Sequence, residues 1–303
     1  MRHNILVTGS TGFVGKNLLS FFKAKPNIVL STISLRNRQL EDFDKNITQI
    51  IHLAAKAHDL KNVSDPSEYF EVNTALTQAL FDKFLKSDAT DFIYISSVKA
   101  AADSSPGVLY EDVNPSPQTP YGKSKRMAEE YILSSKLPAG KRCIILRPCM
   151  IHGPGNKGNL NLLYKFVKKG IPYPLAAFDN KRSFLSIDNL VFVIDNLINN
   201  PQIASGIYNV ADDESLSTNE VISIISNTIK LKPRLWHLNK KMIETLAFVG
   251  DKLHLPLNSE RLKKLTENYV VSNEKIKEAL GISRMPVTAT HGLITTIKSF
   301  LPQ

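Results

Sequence analysis

Short apolar runs recur along the first half of the chain, each followed by a longer stretch whose apolar residues return every three or four positions. The runs are Asn4–Thr8, Ile28–Ile33, Gln49–Leu53, Phe92–Ser96 and Arg142–Arg147. They are apolar with little alternation, the pattern of strands covered on both faces. Helical spacing lies between them at Val14–Ala24, Pro66–Lys86 and Tyr121–Ser135. Alternating β and α over half the chain predicts an α/β fold built on a Rossmann-type, doubly wound parallel sheet. After Pro148 the pattern breaks at Gly153, Pro154, Gly155, Gly158, Gly170, Pro172 and Pro174, which reads as loops and short helices over one end of the sheet. A further strand, Gly206–Val210, returns to the sheet. From about Thr218 the pattern is mainly helical, as in a smaller lobe, and the stretch Lys240–Lys252 is amphipathic. The expected division is a nucleotide-binding domain at 1–155 with 183–210 returning to it, and a substrate lobe from 156–182 and 211–303.

Composition narrows the function classes. With 43% hydrophobic and 22% charged residues in 303, the chain is ordinary globular protein. No apolar run is long enough for a membrane span, so no stable membrane insertion is expected. Met1 is followed at once by a strand and a glycine turn, which leaves no room for a signal peptide. Two cysteines cannot form a disulfide framework, and a cytoplasmic location is the expectation. The net charge of +10 suits nucleic acid or small anions equally. A non-catalytic nucleotide- or RNA-associated protein is the rival class. No RNA-recognition motif or interleaved aromatic–basic stripe supports it, and no nucleic-acid partner is expected.

The chemistry begins after the first strand. Gly9-Ser10-Thr11-Gly12-Phe13-Val14-Gly15 spaces its glycines as G-x-x-G-x-x-G, between a strand and a helix. Gly9 permits the tight turn, Gly12 lets a pyrophosphate approach the backbone, and Gly15 lets helix and strand pack closely. This is a dinucleotide site, with Thr11, Phe13 and Val14 completing the loop. The second strand ends in Ile33-Ser34-Leu35-Arg36-Asn37-Arg38, without the acidic residue that would bind the ribose of NAD. Ser34 and Arg36 are either ligands of a 2′-phosphate or solvated loop residues. The first reading favours NADP(H), with NAD(H) as the alternative. The segment from Arg36 to Ile50 is short for a complete crossover, so part of the adenine side is expected to be trimmed.

Tyr121 and Lys125 stand four residues apart on one helix face, after a strand that ends in Ser96-Ser97. A free tyrosine has a pKa near 10. A neighbouring ammonium favours the phenolate and moves it toward useful acid–base chemistry. Ser97 would hold a substrate oxygen and Tyr121 would exchange its proton. No metal-ligand cluster is expected.

With these motifs in order, the chain resembles an extended short-chain dehydrogenase/reductase of the NAD-dependent epimerase/dehydratase family. The resemblance implies further roles. Leu53, Ala54 and Ala55 match the small-residue turn after the third strand, on the cofactor. Asn73 matches the helix asparagine that ties down the sheet near the catalytic serine, and Leu146-Arg147-Pro148 the segment leading to the substrate lobe, with Asn73, Tyr121, Lys125 and Pro148 expected to contact the cofactor. Asn159, Arg182 and, more weakly, Arg261 fall where such enzymes contact a sugar diphosphate. Dehydratases follow the serine with an Asp-Glu pair, whereas here Val98-Lys99 follows Ser97. Ser96-Ser97-Val98-Lys99 and Gly155-Asn156-Lys157-Gly158-Asn159 are most similar to reductases of UDP-4-keto-6-deoxy-N-acetylhexosamines, which serve surface polysaccharide synthesis. The expectation is therefore hydride transfer from NAD(P)H to C4 of such a UDP-sugar. The runner-up is a UDP-hexose 4-epimerase with tightly bound NAD. The family also implies a homodimer through the helices at Pro66–Lys86 and Tyr121–Ser135.

Overall fold

The computed structural model describes residues 2–35, 44–57, 65–156, 158–253 and 258–301. In chain order the elements are β1 (His3–Thr8), α1 (Phe13–Lys23), β2 (Ile28–Ile33), β3 (Gln49–His52), α2 (Ser67–Phe70), a π turn (Glu71–Ala75) and α3 (Leu76–Lys86). There follow β4 (Asp91–Ile95), a 3₁₀ turn (Val98–Ala100), β5 (Val108–Leu109), α4 (Pro120–Ser134), β6 (Arg142–Pro148), β7 (Met150–His152) and α5 (Asn159–Lys168). The rest comprises β8 (Arg182–Ser186), α6 (Ile187–Asn199), β9 (Gly206–Val210), β10 (Ser215–Leu216), α7 (Thr218–Thr228), α8 (Lys240–Leu253), α9 (Ser259–Thr266), β11 (Val270–Val271), α10 (Glu274–Leu280) and α11 (Ala289–Lys298).

Six strands form the main sheet in the order β2-β1-β3-β4-β6-β9, every pair parallel. Successive side chains of a strand point to opposite faces. Thus Ile5, Val7, Ile93, Ile95, Ile144 and Leu146 pack with α1, α6 and α10 on one side. Leu6, Ile50, Phe92, Tyr94 and Ile145 pack with α3 and α4 on the other. This double cover is why the central runs lack alternation. The edge strand β2 is the exception, because Ser31 and Thr32 are exposed there.

The order of the strands decides where a ligand fits. The chain leaves β1 toward β2 on one side and β3 on the other, so the loops at their C-terminal ends diverge. A crevice opens at such a switch point. Both the glycine loop and the Leu53–Ala55 turn lie there.

The break after Pro148 is not all loop. β7 and β8 pair in parallel, with β10 antiparallel on β8, as a second sheet. The 13-residue helix α6 was not anticipated. It buries Leu190, Val193, Ile194 and Leu197 against the core of the main sheet and turns Asp188, Asp195 and Asn199 outward. In the segment 183–210, β9 and α6 return to the main domain, whereas β8 belongs to the second sheet. A separate core gathers Leu160, Tyr164, Val221, Ile225, Ile243, Ala247, Leu262 and Leu293 from α5, α7, α8, α9 and α11. No described helix is long and apolar enough to cross a membrane. Both cysteines are buried and free.

Candidate active site

The glycine loop is built by close approach. Gly9 has φ +69°, and a Cβ there would stand 2.6 Å from the Ala54 nitrogen. Gly15 is tighter, since its Cβ would lie 2.4 Å from the Gly9 carbonyl oxygen and 2.7 Å from Ser10 Cα. Gly12 precedes α1 in extended conformation, with no side-chain cap and no acidic residue in the first turn. The leading amides of α1 are therefore available to an anion, as a pyrophosphate requires. These residues fit a dinucleotide.

The loop is held by a buried polar chain. The Ala54 amide donates to Thr8 Oγ1 at 3.2 Å. His52 Nδ1 lies 2.7 Å from Thr8 Oγ1, and Nε2 lies 2.8 Å from Thr77 Oγ1. Thr77 in turn donates to the Asn73 carbonyl at 2.8 Å. The network assigns the proton to Nε2, with Thr8 donating to Nδ1. Burial, aided by the Lys125 charge, lowers the His52 pKa to about 3, so the ring is neutral.

Asn73 lies in the π turn, where the extra residue re-aims its side chain. Its amide donates to the Lys56 carbonyl and to Ser124 Oγ, both at 3.0 Å, and its oxygen accepts the Lys56 amide at 2.8 Å. Ser124 donates to the Tyr121 carbonyl at 2.9 Å. The β3 loop is thereby pinned to the helix that carries Tyr121.

Ser97 leaves the end of β4 and starts the 3₁₀ turn, where its hydroxyl accepts the Lys99 amide at 3.2 Å. Its own proton is left for Tyr121, whose pKa Ser97 holds down. Thr119 caps α4 by accepting the Gly122 amide at 3.2 Å. Gly122 is required because a Cβ would meet the Lys99 carbonyl at 2.5 Å. Asp103 ties the two pieces together by accepting the Gln118 amide at 2.6 Å and the Thr119 hydroxyl at 3.0 Å. Ser97 and the first turn of α4 are thus one braced unit.

The electrostatics differ in one respect from expectation. Burial raises the Tyr121 pKa above its ordinary value, while the Ser97 hydrogen bond opposes this. The Lys125 ammonium is turned to the Ile95 carbonyl at 2.8 Å and the Tyr94 ring at 4.7 Å. Burial lowers the Lys125 pKa to about 7, and Glu129 resists the fall.

Three neighbours were not singled out beforehand. Glu129, one turn beyond Lys125, is wholly buried and accepts from Arg147 Nε at 2.9 Å and Nη2 at 2.6 Å. Ser96 donates to it at 2.6 Å. A carboxylate at i+4 from Lys125 was the available signal, and an arginine in a buried strand implies a partner.

The expected substrate residues are more scattered. Asn159 is exposed at the first position of α5. Arg182 is half-buried at the start of β8, donating from Nε to the Glu267 carbonyl at 3.3 Å and from Nη2 to the Lys264 carbonyl. It therefore secures the end of α9, whose third residue is the exposed Arg261. Pro148 ends β6 opposite Val210. Ser34 is exposed just beyond β2, and Arg36 lies outside the described residues, as does Lys157. Among the described residues, no cluster of three or more His, Cys, Asp or Glu side chains could hold a metal ion.

A family model described as "NAD dependent epimerase/dehydratase family" matches residues 5–211. A Vibrio cholerae protein described as UDP-glucose 4-epimerase is 33% identical over 328 aligned positions, covering 99% of this chain and 96% of its own. An Escherichia coli O157:H7 protein described as N-acetyl-alpha-D-glucosaminyl-diphospho-ditrans,octacis-undecaprenol 4-epimerase is 27% identical, covering 96% and 89%. The solved structure of MoeE5 in complex with UDP-glucose and NAD superposes with a TM-score of 0.76 at 21% identity, covering 98% of each chain. At that identity the likeness is one of fold.

Proposed function

We propose that this chain, which belongs to the NAD dependent epimerase/dehydratase family, inverts the C4 hydroxyl of a UDP-linked hexose or N-acetylhexosamine. The observation that carries this reading is Ser97 acting on Tyr121 beside buried Lys125, on a helix tied through Ser124 and Asn73 to the β3 loop. The description of the Vibrio cholerae relative supports epimerisation over reduction.

Gly9, Thr11, Gly12, Phe13, Val14 and Gly15 would hold the pyrophosphate of NAD, with Leu53, Ala54, Ala55 and Pro148 lining the path toward the sugar. Asn73 is fully buried with its side chain spent on Lys56 and Ser124, so it positions the loop and does not touch the cofactor. When bound, the nicotinamide supplies reversible hydride exchange at C4. Tyr121 takes the O4 proton as C4 is oxidised and gives it back when the alcohol re-forms. Ser97 holds O4 within reach of Tyr121. Lys125, whose ammonium is turned to the Ile95 carbonyl, holds the end of β4 that leads into Ser97 and would anchor the nicotinamide ribose. Val98-Lys99 follows Ser97 where a dehydratase has its Asp-Glu pair, so the two carboxyl groups that handle the C5 proton and the C6 hydroxyl are replaced. Arg182 spends Nε and Nη2 on α9, and its Nη1 edge is assigned to the diphosphate with Asn159. Arg261 is a further candidate for the same anion. A homodimer through α3 and α4 fits the exposed Met127 and Leu133 on α4.

A second reading is reduction of a UDP-4-keto-6-deoxy-N-acetylhexosamine by NADPH. It is favoured by Val98-Lys99 and by a β2 end that carries Ser34 and no acid. One experiment separates the two. The protein is incubated with UDP-glucose and UDP-N-acetylglucosamine, and the C4 epimers and the reduced nicotinamide are followed together. Epimer formation with no net change in cofactor is expected. Inert UDP-hexoses, with stoichiometric NADPH consumption on a UDP-4-keto sugar, would establish the reductase instead.

A further inference from the structure

Helix α8 carries two apolar rows where the protein uses one. Ile243, Ala247 and Gly250, at i, i+4 and i+7, are buried, and Ile243 and Ala247 join the core of the smaller lobe. Beside them Met242, Leu246, Val249 and Leu253 form a second row at i, i+4, i+7 and i+11. Its members are 46%, 53%, 40% and 64% exposed. At 1.5 Å per residue this row runs about 16 Å along the helix. Leu265 of α9, which packs on α8, is also exposed, as is Trp236, four residues before α8.

The charges around this row are not evenly spread. At about 100° per residue, Lys241 and Lys252 fall about a quarter-turn from its centre. Glu244 and Asp251 fall nearly opposite it, so the flank of the row is basic and the acids face away. Residues 231–267 as a whole hold eight lysines and arginines against four acidic residues. A second copy of the chain is poorly matched to such a face. A two-fold contact would bring the same lysines together on proteins that each carry +10. An apolar row edged by lysines instead matches a bilayer with acidic headgroups, where aliphatic side chains enter the acyl boundary and the ammoniums meet phosphate. The 14 residues of α8 span about 21 Å, short of a hydrocarbon core of roughly 30 Å, so the helix would lie on the surface.

We propose that the Met242–Leu246–Val249–Leu253 row of α8 is a peripheral docking surface for an anionic phospholipid membrane. The inference is independent of which C4 reaction the site performs. It places the smaller lobe against the lipid, with α9 between α8 and the Arg182 anchor on β8.

The test is co-sedimentation of the full chain with vesicles of phosphatidylcholine alone or mixed with phosphatidylglycerol, at low and high salt. Binding to the phosphatidylglycerol vesicles is expected, weakened by salt. Leu246→Ser/Leu253→Ser should lower the affinity at least tenfold while keeping the circular dichroism spectrum. Lys241→Gln/Lys252→Gln should lose most of the preference for phosphatidylglycerol. Wild-type protein left in the supernatant with both vesicle types would overturn the proposal. So would unchanged binding by the leucine variant, or a drop in its oligomeric state on gel filtration, which would assign the row to a second copy. The lysine variant alters no buried side chain, the only ring touched being the exposed Phe248 under Lys252, so unchanged binding by it overturns the proposal even if the leucine variant does not fold.

Discussion

Replacing Glu129 by Gln should be among the most damaging single changes in the main domain, although it keeps the side-chain volume. The carboxylate and Arg147 are both fully buried and joined by two charge-assisted hydrogen bonds. The Glu129→Gln variant would leave the guanidinium charged with no counter-ion. Its Nη1 already has no partner, so nothing nearby is ready to compensate. Breaking one side of a buried pair costs about 3–5 kcal/mol. Glu129→Leu with Arg147→Met removes both charges and should recover most of that loss, less about 1 kcal/mol for the Ser96 hydroxyl that loses its acceptor. Urea denaturation of the wild type, Glu129→Leu, Arg147→Met and the double variant measures the coupling directly. A second readout separates this from a packing effect. Glu129 supports the Lys125 ammonium, so Glu129→Gln should move the Lys125 titration below its value of about 7. Any activity limb that needs the ammonium must then shift to more acidic pH. A loss below about 1 kcal/mol for Glu129→Gln, or a double variant no more stable than the single one, refutes the reasoning.

Three further outcomes are expected. Tyr121→Phe should keep dinucleotide binding and lower turnover by about 10²–10⁴, measured as epimer formation, and near-normal turnover removes Tyr121 from the proton path. Gly15→Ala puts a methyl 2.4 Å from the Gly9 oxygen and should cost about 1–3 kcal/mol and weaken NAD binding, read by thermal shift with and without NAD. The third concerns acid. An unfolded His52 takes a proton below its ordinary pKa of 6.5, whereas the folded one refuses it until about pH 3. Unfolding therefore takes up a proton in that window, and stability falls with acidification by up to about 1.4 kcal/mol per pH unit. His52→Asn should flatten that slope between about pH 6 and pH 4, and an unaltered slope would mean another group sets it.

The parts of the molecule legible in the sequence are those whose physics is local. The strand, glycine loop and helix at Ile5–Gly15 announce themselves because the turn, the anion site and the packing all fall within eleven residues. Tyr121 and Lys125 were legible for the same reason. Glu129 and Arg147 were not singled out, because their meaning is a contact across 18 positions, between a helix and a strand. Asp103 is similar, since an exposed-looking loop acid proves to brace Thr119 at the head of α4. Helix α6 was legible but not read, since Asp188, Asp195, Asn196 and Asn199 recur at helical spacing along its outer face. Arg182 marks another limit. Its position was readable from the resemblance, but its engagement with the end of α9 depends on a segment more than 80 residues away.

The late arrival of β9 matters while the protein is being made. β6 is complete at Pro148, but its outer neighbour begins only at Gly206, after the chain has passed through β7, α5, β8 and α6. At about 5–20 residues per second, a ribosome leaves that edge of the sheet unpaired for roughly 3–12 s. During this interval Ile144, Ile145 and Leu146 offer an apolar strand to any neighbouring nascent chain. Truncation anywhere before Val210 makes the interval permanent. Fragments ending near residue 155 would therefore collect in inclusion bodies, even though they contain the whole glycine loop together with Ser97, Tyr121 and Lys125.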